Sequence, residues 1–505
     1  MTLARTTTVA FEGLEARPVD VQCAVTPGLP AFSIVGLPDK AVSEARDRIR
    51  TALAELAIAL PSKRVTINLS PADMPKEGAH FDLPIALSLL AALEIVPAEP
   101  VAAAVSIGEM SLDGALVPVA GALPAAVTAK ALDAVLICPA ACGAEAAWVD
   151  SDIVTPAPDL KALIDHLTGQ RPLDGARSAR LPAAPITTCL REVRGQDRAK
   201  RALEIAAAGR HHLFLVGPPG AGKSMLAARL PSIMPPLTAA ESLETSMIHS
   251  LAGTLPEGGV LQARPFQEPH HTASVPAIVG GGKRAGPGQI SLAHHGVLFL
   301  DEFPEFPRAV LETLRQPIET GEVTIARANA HVRYPCRFLL VAAANPCRCG
   351  MLFDAEQACP RAPGCGDEYL ARISGPLMDR FDLRLEVPAV DVADLSLAPS
   401  GETSETVAAR VAAARARQAD RYGAAPDVSV NADVAGDALM EVARPDAEGA
   451  ALLERAVARF RLSARGYHRI LKVARTIADL DASEAVRRPH VAEALSYRLV
   501  AAAAI

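Results

Sequence analysis

The residues best equipped for chemistry are Gly217, Pro218, Pro219, Gly220, Ala221, Gly222, Lys223 and Ser224, "GPPGAGKS". They match G-x-x-x-x-G-K-[ST], with an apolar strand before them and a helical pattern after. Glycines let backbone N–H groups turn inward around phosphate oxygens. Lys223 would reach the β and γ phosphates of ATP, and Ser224 would ligate Mg2+. Downstream, "GVLFLDE" (296–302) is a buried strand ending in two carboxylates, suited to a place beside the strand of the phosphate loop. Asp301 would hold the magnesium through water, and Glu302 would polarise the attacking water. A third strand, "FLLVAAANP", ends at Asn345, whose amide can orient that water. Arg372 and Arg380 can reach a neighbouring subunit's nucleotide and stabilise transition-state charge. In the basic amphipathic run "LSARGYHRILKVARTIADL", Arg465, or else Arg469, would fold over the nucleotide from a lid.

Four of the nine cysteines, Cys347, Cys349, Cys359 and Cys365, fall within one short glycine- and proline-rich stretch. Four thiolates can close a tetrahedral zinc site. A small loop with few apolar residues is where a metal substitutes for a core. The spacing lacks the paired C-x-x-C knuckles of a zinc ribbon, so buried thiols and a redox role stay open beside structural Zn2+.

These groups need a scaffold, and 505 residues are too many for one core. Half the residues are apolar and only 4% aromatic, a composition of helix-rich globular domains. The net charge of -7 leaves no global basic excess, so any nucleic-acid contact must use a local patch or pore. The start, "MTLARTTTVAFEG", lacks a signal-peptide pattern, and "LPIALSLLAALEIVPA" is too short and broken to span a membrane. The expected location is the cytoplasm, where clustered cysteines favour metal over disulfide. The fold class is α/β and multidomain. Residues 1–172 mix strands and helices, 173–188 read as a linker, 189–395 alternate strands and helices as in a parallel sheet, and 396–505 are helical.

The order phosphate loop, "VLFLDE", "AAANP", "DRFD" and "SARGYHR" resembles an AAA+ ATPase with a C-terminal helical lid. The insert "PFQEPHHTASVPAIVGGGKRAGPGQISLAHHGVLFLDE" and the hairpin "LETLRQPIETGEVTIARANAHVRYPCRFLLVAAANP" are similar to those of the magnesium-chelatase-like branch. Nearly the whole chain resembles its ComM/YifB family, competence-associated proteins regarded as DNA branch-migration helicases. The N-terminal runs "RVTINLSPADMPKEGAHFDLPIALSLLAAL" and "SIGEMSLDGALVPVAGALPAAVTAKALDA" resemble the Lon protease domain, a fold of the ribosomal S5 domain 2-like kind. Where Lon carries its serine this chain has His80, and where Lon carries its lysine it has Leu123, with Ser70 and Lys76 nearby. A peptidase dyad needs a nucleophile and a base in reach, so the expectation is a Lon-like domain without peptidase chemistry.

The resemblance implies a homo-hexameric ring gripping substrate in a pore. Lys283 and Arg284 in "GGGKRAGPG", and Arg327, His331 and Arg333 around an "ANA" tip, would offer cations to the phosphates of single-stranded or branched DNA without reading bases. The expected function is an ATP-driven DNA motor for recombination. The alternatives are a chelatase-type motor subunit for metal insertion and a Lon-like protease or unfoldase.

Overall fold

The computed structural model describes residues 2–499, apart from 179–187, 257–258, 283–284, 328–329, 353–359, 390–400 and 424–427, and without the side chains of 327, 330, 331 and 499. Alternating burial marks the first strands. β1 (Thr2–Glu12) and β2 (Glu15–Thr26) pair antiparallel from Thr2↔Val25 to Glu12↔Glu15 around a turn in which Gly13 has φ +65°. With β3 (Ala31–Val35), β4 (Arg64–Ser70), β5 (Ala104–Ser106), β8 (Val135–Pro139) and β9 (Val154–Ala157) they form a seven-stranded sheet, order β3-β4-β2-β1-β5-β8-β9. A short ribbon, β6 (Glu109–Met110) and β7 (Leu116–Val117), lies outside it.

The helix Asp82–Ala92 is buried at every position, as its nearly unbroken apolar run requires. Its one charge, Asp82, is compensated by a two-pronged pair with Arg48 (2.6 and 2.8 Å) and by the Met110 N–H at 3.1 Å. Arg48 belongs to the helix Lys40–Glu55, whose first turn is capped by the Asp39 carboxylate on Val42 N–H. The start of the expected linker is part of this domain: Leu173 N–H donates to His166 Nδ1 (3.0 Å), and Ala176 is buried.

The second sheet is parallel and carries the phosphate loop. It holds β10 (Leu213–Val216), β11 (Phe266–Gln267), β14 (Val297–Leu300), β17 (Leu339–Ala344) and β18 (Leu383–Glu386), order β11-β14-β17-β10-β18. Six consecutive buried residues make β17 a central strand covered on both faces. The acidic strand β14 is therefore not beside β10 as expected. Chain order does not set strand order in a parallel sheet, and β17 lies between them. Two ribbons attach to this core: β12 (Gly280–Gly281) with β13 (Gly286–Pro287), and β15 (Glu322–Arg327) with β16 (Ala330–Pro335).

Helices Ser404–Tyr422, Gly436–Val442, Ala447–Phe460, Ala464–Leu480 and Arg488–Leu499 form the C-terminal domain. It shares one apolar core with the helix Asp197–Gly209 and the parallel sheet. Buried polar bonds complete that joint: Gln418 donates to Ala208 O (3.1 Å), and the His211 ring meets Thr476 Oγ1 (2.7 Å). The N-terminal domain docks on the helix Ala239–Ala252 through the half-buried Glu145 carboxylate, which accepts from Ser250 Oγ and from Leu123 N–H (3.0 Å). Between these domains is a cavity of about 1020 Å³, lined by Phe11, Glu77, His80 and Glu109 on one side and Leu251 and Tyr334 on the other. Among the described residues, no helix is long and apolar enough to cross a membrane.

Two histidines pin β17 and the residues leading into it. His212 Nδ1 accepts the Leu340 N–H, and His294 Nδ1 accepts the Arg337 N–H, each at 3.0 Å. Protonation would forfeit both bonds, and burial holds each imidazole down to about 4. Acid protonates these histidines in the unfolded chain first, so their contribution is complete above about pH 6.5 and is lost as pH falls toward 4. The expected loss is on the order of 3 kcal/mol per histidine. Denaturant midpoints measured from pH 7 to 4.5 should fall steeply, and His212→Asn should flatten the slope; an unchanged slope would count against the assignment.

Candidate nucleotide site

The phosphate loop leaves β10 where the sheet is tightest. A Cβ on Gly217 would stand 2.1 Å from Val387 O, so only glycine fits there, and Gly217 N–H donates to Ala344 O at 3.2 Å. Gly220 and Gly222 take φ +78° and +87°, the left-handed turns that aim backbone N–H groups inward. The following helix, Lys223–Ala227, starts at the lysine. Lys223 is only 7% exposed, and its ammonium donates to Gly217 O (2.7 Å), Pro218 O (2.9 Å) and Asn345 Oδ1 (3.2 Å). Burial lowers its pKa, and the charges of Asp301 and Glu302 oppose that shift.

Register explains how Asn345 arrives. Val216 pairs with Ala344, so the residue after β17 emerges level with the first residue of the loop. Leu300 pairs with Ala342, which sets Asp301 lower on the other flank. Ser224 Oγ donates to Asp301 Oδ2 at 2.7 Å. A hydroxyl and a carboxylate at that separation are hard oxygen donors of the kind magnesium takes, so these two residues fit the ion expected of the site. Glu302 follows in the left-handed region at φ +50°, with its N–H on Asp301 Oδ1 (2.8 Å).

Sequence reasoning misses two residues of the site. After β11 the chain turns over the same end of the sheet and brings Glu268 and His271 to the carboxylates. His271 Nδ1 lies 3.0 Å from Glu302 Oε2. The Glu268 carboxyl is pushed up by burial and by the charge of Asp301. The signal is a Glu and two His, "QEPHHTAS", just upstream of the acidic strand. A two-residue β11 gives no periodicity that would place them in the sheet.

The candidate arginines differ in availability. Arg380 is buried, ion-paired with Glu319 (2.5 Å) and bonded to Arg315 O (3.1 Å) and Pro376 O (2.5 Å) of its own subunit. Arg469 pairs with the buried Asp382 and donates to Arg380 O (2.9 Å), which makes it a latch between the C-terminal helices and the core. That pairing holds the Asp382 carboxyl well below the usual range despite its burial. Arg372 is exposed and meets Glu305 at 2.8 Å. Arg465 is exposed on the first turn of the helix Ala464–Leu480.

Cys347 and Cys349 come together, Sγ to Sγ 3.1 Å, shorter than the roughly 3.8 Å edge of a zinc–thiolate tetrahedron. A Cβ on Gly350 would stand 2.6 Å from Pro219 Cδ, so their turn rests directly on the phosphate loop. Gly366 packs closely on Pro346 O, which folds the Cys365 end of the stretch back toward that turn. Cys359 lies outside the described residues, as do Lys283 and Arg284, and the side chains of Arg327 and His331 are not described. Arg333 is exposed on β16. Glu244, His294 and His295 also converge, with both Nε2 atoms 3.1 Å from Glu244 Oε2. His294 Nδ1 is already an acceptor, so its proton is on Nε2, facing the carboxylate. His294 therefore offers this group no lone pair for a metal. In the N-terminal domain His80 is buried, its Nε2 2.9 Å from Val9 O, and Leu123 is a core residue.

Family comparisons cover most of the chain. Residues 189–395 match the family described as magnesium chelatase, subunit ChlI; residues 401–498 match its C-terminal part, and 21–141 match the family described as subunit ChlI of Mg-chelatase. The YifB protein of Salmonella typhimurium is 42% identical over 501 residues, 99% of this chain and 98% of that one. Competence protein ComM of Haemophilus influenzae is 42% identical over 504 residues, again 99% and 98% of the two chains. The magnesium-chelatase 38 kDa subunit of Rhodobacter capsulatus is 26% identical over 339 residues, 60% of this chain and 86% of that one.

Removing the ammonium should remove phosphate binding, whereas removing the base should spare it. Lys223→Ala is expected to abolish binding of a fluorescent ATP analogue. Glu302→Gln should bind it normally and lose about a hundredfold or more in ATP turnover. Normal turnover by either variant would contradict the assignment.

Proposed function

We propose an ATP-driven DNA motor, on the premise that the chain belongs to the ComM/YifB family of magnesium-chelatase-like AAA+ proteins. One observation carries the ATPase reading: Lys223 joined to Asn345, with Ser224 joined to Asp301, at one edge of the parallel sheet. The N–H groups of the loop and the Lys223 ammonium bind the β and γ phosphates. Ser224 and Asp301 would hold magnesium, which neutralises charge on the phosphates when bound. Glu302 takes a proton from the attacking water, and Asn345 orients that water toward the γ-phosphate. Lys223 must exchange the loop carbonyls for phosphate oxygens, so its three hydrogen bonds mark where its charge is stored.

The motor works as a ring, proposed to be a hexamer. Arg372, already at the surface, supports the role of an arginine supplied to a neighbour better than Arg380, which would first have to leave Glu319. Arg465 remains the candidate contributed by the lid, since Arg469 is committed to Asp382. The β15–β16 hairpin, with Arg333, Arg327 and His331, and the insert with Lys283 and Arg284 are proposed to grip DNA phosphates. The name of the ComM relative, a competence protein, supports a role in competence, with branch migration during recombination as the activity. Structural zinc at Cys347, Cys349, Cys359 and Cys365 would brace the turn that rests on Pro219. The N-terminal domain is read as Lon-like without peptidase chemistry. A chelatase-type motor is the second reading, favoured by the relative from Rhodobacter capsulatus.

The decisive experiment is branch migration on a synthetic four-way junction. The protein with ATP should move the junction, and Lys223→Ala and Glu302→Gln should not. Neutralising Lys283 and Arg284 together should weaken DNA binding and reduce its salt slope by about 1 for each phosphate that is no longer neutralised. ATP turnover that ignores branched DNA but rises with a porphyrin-binding partner or with unfolded protein would replace this reading with one of the alternatives.

A further inference from the structure

The base assigned to the reaction is not alone. The parallel pairing of β11 with β14, Phe266↔Val297 and Gln267↔Leu298, ends two residues before β14 does. The chain then leaves the sheet at Glu268 beside the last residues of the acidic strand, and Pro269 has no N–H to continue the ladder. The turn that follows is tightly fixed. Ala273 N–H donates to His270 O (2.9 Å), and His270 Nδ1 accepts from Thr272 Oγ1 (2.8 Å) and Thr272 N–H (3.4 Å). The His271 ring lies tilted by 33° against His270 with centroids 4.1 Å apart and meets the edge of the buried Phe306 at 6.5 Å. Held between these two rings, it presents Nδ1 to Glu302 Oε2 at 3.0 Å.

We infer that His271 is a positioning residue for ATP hydrolysis, its ring N–H holding one oxygen of Glu302 so that the other is left to take the water's proton. The inference rests on Glu302 being the base. A carboxylate on a half-exposed side chain can rotate freely, and each unproductive orientation costs rate. A donor on one oxygen restricts the group to one plane, as a third group does for the base in hydrolytic triads. The left-handed backbone of Glu302 sets the root of the side chain and His271 sets its tip, so base and holder come from neighbouring strands of one sheet.

The test separates this role from a structural one. Single-turnover hydrolysis at saturating ATP should fall roughly ten- to a hundredfold in His271→Ala. Nucleotide affinity should stay unchanged, which also shows that the site is folded. His271→Asn, whose amide N–H can replace the ring N–H, should recover part of the rate. In the Glu302→Gln background His271→Ala should cause no further loss. A His271→Ala rate equal to wild type, a fall in affinity matching the fall in rate, or an equal additional loss beside Glu302→Gln would each overturn the inference. If Glu302→Gln itself hydrolyses at the wild-type rate, the assignment of the base fails first and the inference falls with it. If Glu302→Gln is inactive and His271→Ala is not impaired, only the inference fails.

Discussion

A buried ammonium needs oxygen atoms on every side, and Lys223 finds three within 3.2 Å. Two are carbonyls of its own loop, and the third is the side chain at the tip of the neighbouring strand. Left unsatisfied, a charge at this depth would lose its proton or open the loop. Satisfying it requires β10 and β17 to be adjacent and in register to within one residue. β17 carries only aliphatic side chains ending in three alanines, as suits a central strand covered on both faces.

From this strand pair the rest of the molecule is arranged outward. β14 on the far flank sets Asp301 against Ser224, and β11 beyond it sends His271 to Glu302. On the other side, β18 closes over Gly217 so tightly that no side chain can be tolerated there. The C-terminal helices are joined through one continuous apolar core and through Arg469 on Asp382, which ties them to the segment that holds Arg380. The N-terminal domain grips a different place, the end of the helix Ala239–Ala252, by way of Glu145. Desolvation raises the pKa of that carboxyl, and the two donors only partly offset it, so this joint is polar and well satisfied and is not a greasy seam.

What could be read from the sequence follows from how local each signal is. The phosphate loop is eight consecutive residues with a mechanism, and strand ends such as Asp301 and Asn345 follow from apolar runs that stop at a polar residue. The position of β17 between β10 and β14 could not be read that way, because in a parallel sheet neighbours in space are not neighbours in the chain. His271 is hidden for a related reason: a two-residue strand has no pattern, yet its pairing aims the next turn. The arginines are legible as charges but not as roles. Arg380 and Arg469 become latches through Glu319 and Asp382, partners that lie far away in sequence. In the sequence the cysteines read as a unit between two parts of the ATPase; the fold seats the turn of Cys347 and Cys349, through Gly350, on Pro219 of the phosphate loop.

The β15–β16 hairpin has one further property, and it is mechanical. Its foot is closed by Cys336 N–H on Gly321 O at 2.7 Å, and only Cys336, Arg337 and Phe338 separate it from β17. Six residues of strand then lead to Asn345, a distance of about 20 Å. A load on the hairpin therefore enters the middle of the sheet along the strand axis. There it is carried in shear by both ladders at once, whereas an edge strand pulled sideways would unzip bond by bond. Hairpin and Asn345 thus lie at opposite ends of one central strand.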